Sequence, residues 1–368
     1  MASEVYFINR RSTSYKTNQL EKLSKLLKKA GLDKIIRDGD LTAVKLHFGE
    51  KGNTTFLNPV YAGKVVEEIK KLGGKPFLTD TNTLYAGQRA NSVDHLENAL
   101  ANGFSYATVK APIIIADGLK SKNAVSVDIK GKHFSSVKIA SDIYHADAMI
   151  VLSHFKGHEM AGFGGAIKNL AMGCATAVGK QQQHSTIKPQ VGKDCIGCRT
   201  CVKWCPAGAI SMVDKKAVID HELCLGCGEC IVSCQKRFIS TGWETDLDSF
   251  LERLVEYALG AVQSKAQKAL YVNFVVNVTP ECDCAGWSDA VLVEDVGILA
   301  SYDPVALDHA CYDLVNQQRG NLNSRLTSGF APGEDKFKAV HPEIKAEIQW
   351  LYGEAVGLGS SSYKLIEL

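Results

Sequence analysis

The sequence predicts an α/β body built on a mostly parallel sheet and interrupted by a small cysteine-rich unit. Three observations predict it. Strand-period and helix-period segments alternate up to about residue 188, the alternation resumes after about 243, and eight of the 12 cysteines fall between 195 and 234.

The elements follow in order. NQLEKLSKLLKKAGL (18–32) puts Leu20, Leu23, Leu26 and Leu27 on one helical face and stops at Gly31. LTAVKLHF (41–48) alternates as a strand, with Val44, Leu46 and Phe48 on one side and Lys45 and His47 on the other. NPVYAGKVVEEIKKLGG (58–74) is a helix ended by Gly73-Gly74, and KPFLTD (75–80) is the next strand. This βαβ unit predicts parallel pairing, with any ligand crevice at the strands' carboxyl ends. Helix 92–103, strand 112–117, a hairpin of 125–129 with 135–140, and strand 147–153 complete the first part. After the cysteines come helix 246–269, buried strands 271–278 and 290–297, and helix 304–317, capped by Asp303 with Pro304 in its first turn. A helix from about Pro342 and a strand in SSYKLIEL close the chain.

Residues 195–206 read CIGCRTCVKWCP, and the spacing C-x2-C-x2-C-x3-C starts again at Cys224. Two such runs have the form of a bacterial two-cluster ferredoxin, in which three cysteines grip one [4Fe–4S] cube and the fourth reaches the other. Cys195, Cys198, Cys201 and Cys234 are therefore expected to hold one cluster, and Cys224, Cys227, Cys230 and Cys205 the second. Gly197 and Gly226 relax the backbone around them. Ile196, Val202, Ile210, Leu225 and Ile231 supply water-excluding bulk, and Gln235 replaces the usual second proline. Zinc knuckles share the residue type but not two tandem runs of four. The expected organisation is 1–188 as the first part of the body, 189–242 as an inserted α+β ferredoxin-like domain, and 243–368 as the rest.

Composition excludes some functions. Lys+Arg number 42 against 40 Asp+Glu, a formal charge of +2, which does not suit a nucleic-acid surface. No apolar run reaches the length of a membrane span. The start, MASEVYFINRRSTSY, has no continuous apolar region, so a cytoplasmic chain with reduced thiols is expected.

The stretch SHFKGHEMAGFGGAIKNLAMG (153–173) leaves strand 147–153 at its carboxyl end. Its glycines serve a tight turn, or G-x-G-G at 162–165 before a helix near Ala166 captures a small anion on backbone N–H groups of Gly164 and Gly165. A third reading makes it a catalytic or metal pocket in which His154, His158, Lys168 and His184 supply bases, charge or ligands, with His47 beside them. Asp80, Asn82 and Arg89 in TDTNTLYAGQR bind a polar substrate or merely cap a turn. In TPECDCAGW, Cys282 and Cys284 clamp a soft metal, form a redox pair, or are small buried residues. Cys311 reads as core, and Cys174 is undecided.

VKLHFGEKGNT, LTDTNTLYAGQR, SHFKGHEMAGFGGAIKNLAMGCA and the cysteine runs together resemble the domain of unknown function 362 family, in its ferredoxin-containing branch, over most of residues 40 to 312. The resemblance implies a two-cluster iron–sulfur protein. More distantly, H-x3-G-x-G-G-x2-K followed by a histidine sixteen residues later is similar to the lactate racemase-type nickel-pincer enzymes. That resemblance implies proton transfer and cofactor attachment at His158, Lys168 and His184, although the rest of that family's pattern has no counterpart here.

The reading that follows is an oxidoreductase passing electrons through two [4Fe–4S] clusters to a pocket in the α/β body. An external donor or acceptor of the ferredoxin or flavoprotein class, a small anionic ligand and an additional metal in the pocket are the expected partners and cofactors. An electron carrier without turnover, and a metal-handling or maturation protein, use the same cysteines.

Overall fold

The computed structural model describes all residues except 1, 85–86, 186–187, 225–229, 231–232, 235, 237, 242–245 and 266. Cys227, Gly226, Leu225, Ile231 and Gln235 therefore lie outside the described residues.

An eight-stranded sheet forms the centre. Its strands are β1 (Ser3–Asn9), β2 (Leu41–Lys45), β3 (Lys75–Asp80), β4 (Ile113–Ile115), β7 (Ala148–His154), β14 (Ala269–Val275), β15 (Gly297–Ser301) and β16 (Tyr363–Glu367). Four two-stranded pieces lie between them in sequence. These are β5 (Ala124–Asp128) with β6 (Ser136–Ala140), β8 (Lys156–His158) with β9 (Gly162–Gly164), β10 (Pro189–Val191) with β13 (Ile239–Thr241), and β11 (Ile210–Val213) with β12 (Lys216–Ile219). The large sheet runs β16-β1-β15-β14-β7-β2-β3-β4, so strands from before and after the cysteine runs interleave in it. β15 is antiparallel to β1 and β14, and the other neighbouring pairs are parallel.

Strand alternation splits the core into two layers. Along β7, Met149 and Val151 face one layer while Ile150 and Leu152 face the other. The first layer is covered by helices α4 (Ala166–Cys174), α6 (Leu247–Gln263) and α7 (Pro304–Asn316), through Ile167, Leu170, Leu251, Leu254 and Val305. The second is covered by α1 (Gln19–Lys29) and α2 (Pro59–Lys71), through Leu23, Leu26, Leu27, Val65 and Ile69. Both are capped as their sequences dictate, by the Asn18 and Asn58 side chains. Helices α3 (Ser92–Ala101), α5 (Ala177–His184) and α8 (Ile348–Ala355) complete the longer ones. A strand buried on both faces reads as a continuous apolar run, which is why β7 and β14 are visible in sequence.

Several expectations change. The strand predicted at 290–297 is instead irregular: Leu292 and Val293 reach the core singly, and pairing begins at Gly297. β1 was not expected, because its seven residues carry no clean alternation and its register comes from β15 and β16. The helix expected from Pro342 begins at Ile348, because Ile344 and Ala346 are both turned inward, Ala346 against Gly162. The helix expected to reach 269 ends at Gln263, where Lys265 turns in to donate to the Tyr144 carbonyl at 2.6 Å. The stretch expected to be a plain loop after β7 folds into the β8–β9 hairpin.

Candidate functional site

β14, β7, β2 and β3 are adjacent and parallel, so the segments leaving their carboxyl ends gather at one edge of the sheet. β2 delivers His47 and Glu50, β3 delivers Thr81 to Arg89, β7 delivers the β8–β9 hairpin and α4, and β14 delivers residues 276–284. The last two touch closely. Gly157 donates its N–H to the Thr279 carbonyl at 2.8 Å, and the Pro280 carbonyl fills the place a Cβ at 157 would take. Only glycine admits this approach, which brings Cys282 and Cys284 to Lys168.

Beneath the edge lies a layer of paired charges. Lys45 and Asp80 are buried and 3.0 Å apart. Burial alone would raise the Asp80 pKa, but Lys45, His95 and Arg89 more than offset it, and the net shift is downward. Arg89 donates from Nε to Glu50 at 2.9 Å and lies 2.8 Å from His47 Nε2. Burial, then the charges of Arg89, Lys156 and Lys168, hold His47 well below the usual histidine range, so its ring is neutral at pH 7. His154 is committed at both nitrogens: Nδ1 is 2.8 Å from Asp283, and Nε2 is 2.8 Å from the Val276 carbonyl. That leaves it no open nitrogen for a substrate, so it acts as a brace between loops rather than as the base the sequence suggested. The donors of Asn82 are spent in the same way, while its buried Oδ1 has no hydrogen-bond partner among the described residues. Its backbone N–H and side-chain amide both reach Asp117, and the amide also reaches the Gly118 carbonyl.

The helix N-terminus that follows Gly164 and Gly165 already has an occupant. Asp308 on α7 accepts from the backbone N–H groups of Ala166 at 2.7 Å and Ile167 at 2.9 Å, and from the Asn273 amide at 2.6 Å. A Cβ at Gly165 would collide with that carboxylate. The helix N-terminus does attract a carboxylate, but the chain supplies its own. Asp308→Ala is expected to lower the unfolding free energy by about 3 kcal/mol in urea titrations, because it leaves these donors buried and unpaired. Burial raises the Asp308 pKa from 3.8 to about 6. The folded chain thus holds a proton that the unfolded chain releases in that interval, and the Asp308 contribution falls as pH rises through it.

Lys168 occupies the middle of the site. Its Nζ lies 3.1 Å from Cys282 Sγ and 3.7 Å from Cys284 Sγ. Burial, then the charge of Lys156, lowers its pKa to about 7. The two sulfurs are joined, with Cα atoms 5.2 Å apart. His158 is buried beside them, and donor atoms of His158, Cys282 and Cys284 lie within 4.8 Å of one another. Its Nδ1 accepts from the N–H groups of Met160 and Ala161, both at 3.1 Å. Burial, then Lys168 and Lys156, hold its pKa well below 6.5. The ring is therefore neutral with its proton on Nε2, and a metal would need both that proton and the sulfur–sulfur bond removed. His184 packs tilted against Phe250, ring centroids 5.2 Å apart, and is lowered to about 4, first by burial and next by the Lys168 charge. Cys174 and Cys311 are enclosed by the core.

The cysteine segment has a core of its own, with Cys201, Ile210, Ala217, Cys230 and Ile239 buried together and Cys195, Cys205 and Cys234 against them. Cys195, Cys198, Cys201 and Cys234 line one cavity of about 90 Å³. Four thiols around one void fit the sulfur-donor set of an iron–sulfur cube. Gly197, at φ +68, makes the turn between the first two, where a Cβ would strike the Lys215 carbonyl. Ile196 does not act as a water-excluding cover, being 62% exposed.

Lys45, Lys156, Asp283 and Asp308 were absent from the residues singled out in the sequence. Lys45 carried a signal, a cation within an otherwise apolar strand. Asp308 carried none, since its partners lie 142 residues away.

Among the described residues no helix is long and apolar enough to cross a membrane. The chain is 49% identical over 45 residues to a component of an ion-translocating oxidoreductase complex from Methanosarcina acetivorans, covering 12% of this chain and 17% of that one. It is 39% identical over 66 residues to pyruvate synthase subunit PorD from Methanothermobacter marburgensis, covering 18% and 78%. Of solved structures, the lactate racemase apoprotein from Thermoanaerobacterium thermosaccharolyticum aligns with TM-score 0.38 at 12% identity, over 74% of this chain and 51% of that one. A protein from Thermotoga maritima aligns with TM-score 0.42 at 14% identity, over 82% and 58%. The family described as Domain of unknown function (DUF362) matches residues 42–313, the body's sheet-edge segments together with the cysteine runs, and this chain belongs to it.

Proposed function

We propose that this chain is an iron–sulfur electron-transfer protein whose two [4Fe–4S] clusters serve an oxidoreductase pocket at the carboxyl ends of β14, β7, β2 and β3. Cys195, Cys198, Cys201 and Cys234 would hold one cluster, and Cys224, Cys227, Cys230 and Cys205 the other. When bound, such clusters supply one-electron transfer at low potential. The observation that carries this reading is the meeting of Cys234 with the three cysteines of the other run around one cavity. That meeting supports an exchange of distal ligands of the kind the two-cluster ferredoxin pattern uses. Similarity to parts of an ion-translocating oxidoreductase complex and of a pyruvate synthase supports it.

The pocket's own residues suit a small anionic ligand. Arg89, Lys156 and Lys168 gather there and act on His47 through their charges, with the carboxylates Glu50, Glu159, Asp283 and Asp308 among them. Lys168 holds or releases a proton near neutrality, and neutral His158 presents an Nε2 proton. The external partner is a one-electron carrier of the ferredoxin or flavoprotein class.

Chain purified without oxygen is expected to contain about eight iron and about eight acid-labile sulfide per molecule and to give cluster EPR signals on reduction. Colourless protein lacking sulfide would end this reading.

A further inference from the structure

We propose that Cys282 and Cys284 are a redox-active disulfide/dithiol pair, a two-electron site in which Lys168 protonates Cys282 as the bond opens. The proposal deepens the electron-transfer reading and rests on it for the source of electrons.

The placement of the pair carries the inference. The C-x-C sulfurs are joined to each other and lie apart from the two cysteine runs in sequence. They are also set apart in space, at the edge where four parallel strands end, whereas Cys174 and Cys311 are enclosed by apolar side chains. The two sulfurs are inequivalent. Cys282 is buried, while Cys284 is partly exposed. Cys282 Sγ is faced by two donors, Lys168 Nζ at 3.1 Å and the Cys284 backbone N–H at 3.4 Å. Lys168 Nζ also lies 3.7 Å from Cys284 Sγ, but its shorter contact to Cys282 makes Cys282 the sulfur that takes the Lys168 proton.

The step balances. The Cys282–Cys284 sulfur–sulfur bond breaks as two electrons arrive singly from a low-potential carrier of the ferredoxin class. One proton passes from the Lys168 ammonium to Cys282, and one from solvent reaches Cys284, leaving two thiols. The reverse step releases two electrons and two protons. A metal at the same sulfurs is the competing occupant. His158 does not favour it, because its Nδ1 already accepts two N–H groups and its Nε2 carries the proton.

The cysteine segment is inserted between α5 and α6. It leaves the body after α5, which ends at His184, and returns before α6, which carries Phe250. Those two rings pack tilted, centroids 5.2 Å apart, and the Lys168 charge acts on His184.

The test uses the full chain purified without oxygen, before and after reduction with dithionite and methyl viologen, quenched in acid with N-ethylmaleimide and read by peptide mass. The expected result is a linked, unlabelled 282–284 peptide before reduction and labels on both cysteines after it. Lys168→Met protein should keep the linked pair and open it about 10-fold more slowly or worse. Labelling of both cysteines without reductant, release of a metal from them by chelator, or a pair still linked when EPR shows reduced clusters would each overturn the proposal. An unchanged opening rate in Lys168→Met would remove Lys168 from the step. Iron and sulfide measured on the same sample separate the two readings: their absence ends the iron–sulfur function, while opening of the pair by viologen would still sustain its redox activity.

Discussion

Cys234→Ala protein, purified without oxygen, is expected to hold about half the iron and sulfide of the unaltered chain, roughly four of eight atoms of each. Cys234 follows Cys230 closely in sequence, yet it lines the cavity of Cys195, Cys198 and Cys201. The decisive measurement is therefore the double variant. If Cys198 and Cys234 serve one cluster, Cys198→Ala/Cys234→Ala loses no more iron than either single variant, because the same cube is lost once. If each serves the cluster of its own run, the double variant loses both. Iron content by mass spectrometry of the metal, with sulfide in parallel, separates these outcomes directly. A Cys234→Ala protein with undiminished iron would reduce Cys234 to a core thiol.

Lys45→Met is expected to lower the unfolding free energy by about 3–5 kcal/mol, measured by urea titration at pH 7. Lys45 and Asp80 lie at the centre of the polar layer, 3.0 Å apart, and Lys45 also donates to Asn169 at 2.6 Å. Removing the cation leaves a buried carboxylate 3.8 Å from His95, which burial, the largest cause, lowers to about 3 and so leaves neutral at pH 7. Removing both charges relieves that, so Lys45→Met/Asp80→Asn should recover part of the loss. The pH dependence has a definite sign. The Asp80 pKa is depressed in the folded chain, so its contribution is present above the unfolded value of 3.8 and disappears as pH falls through the lower folded value. The difference between Lys45→Met and the unaltered protein should accordingly shrink on acidification below about pH 4. A difference that persists there would mean that lost packing, rather than the unpaired charge, sets the cost.

Legibility in sequence followed locality. Helices α1 and α2 announced themselves because the helical period and the terminating glycines lie within one short segment. β7 and β14 did so because burial on both faces favours apolar residues at most positions. The edge of the sheet as a site was legible for the same reason, since parallel strands place the residues after them together. β15 was misread because VLVEDVG satisfies the strand pattern while the pairing partners lie one step further on, at Gly297–Ser301. Edges and registers belong to the partner strand, not to the segment itself.

By itself the sequence determined the local periods of the helices and buried strands, the strand–helix alternation of an α/β body, and the repeated cysteine spacing. Each is a relation among residues a few positions apart, within reach of a helical turn, a pleat or a chelating loop. The tertiary structure alone decided that Asp308 occupies the N-terminus of α4, that His154 braces Asp283, and that Lys168 meets Cys282 and Cys284. Those contacts join segments more than a hundred residues apart, and they exist only because the sheet order brings β7 beside β14. Charge pairing and hydrogen bonding act over a few ångströms of space whatever the separation along the chain, so no local pattern records them.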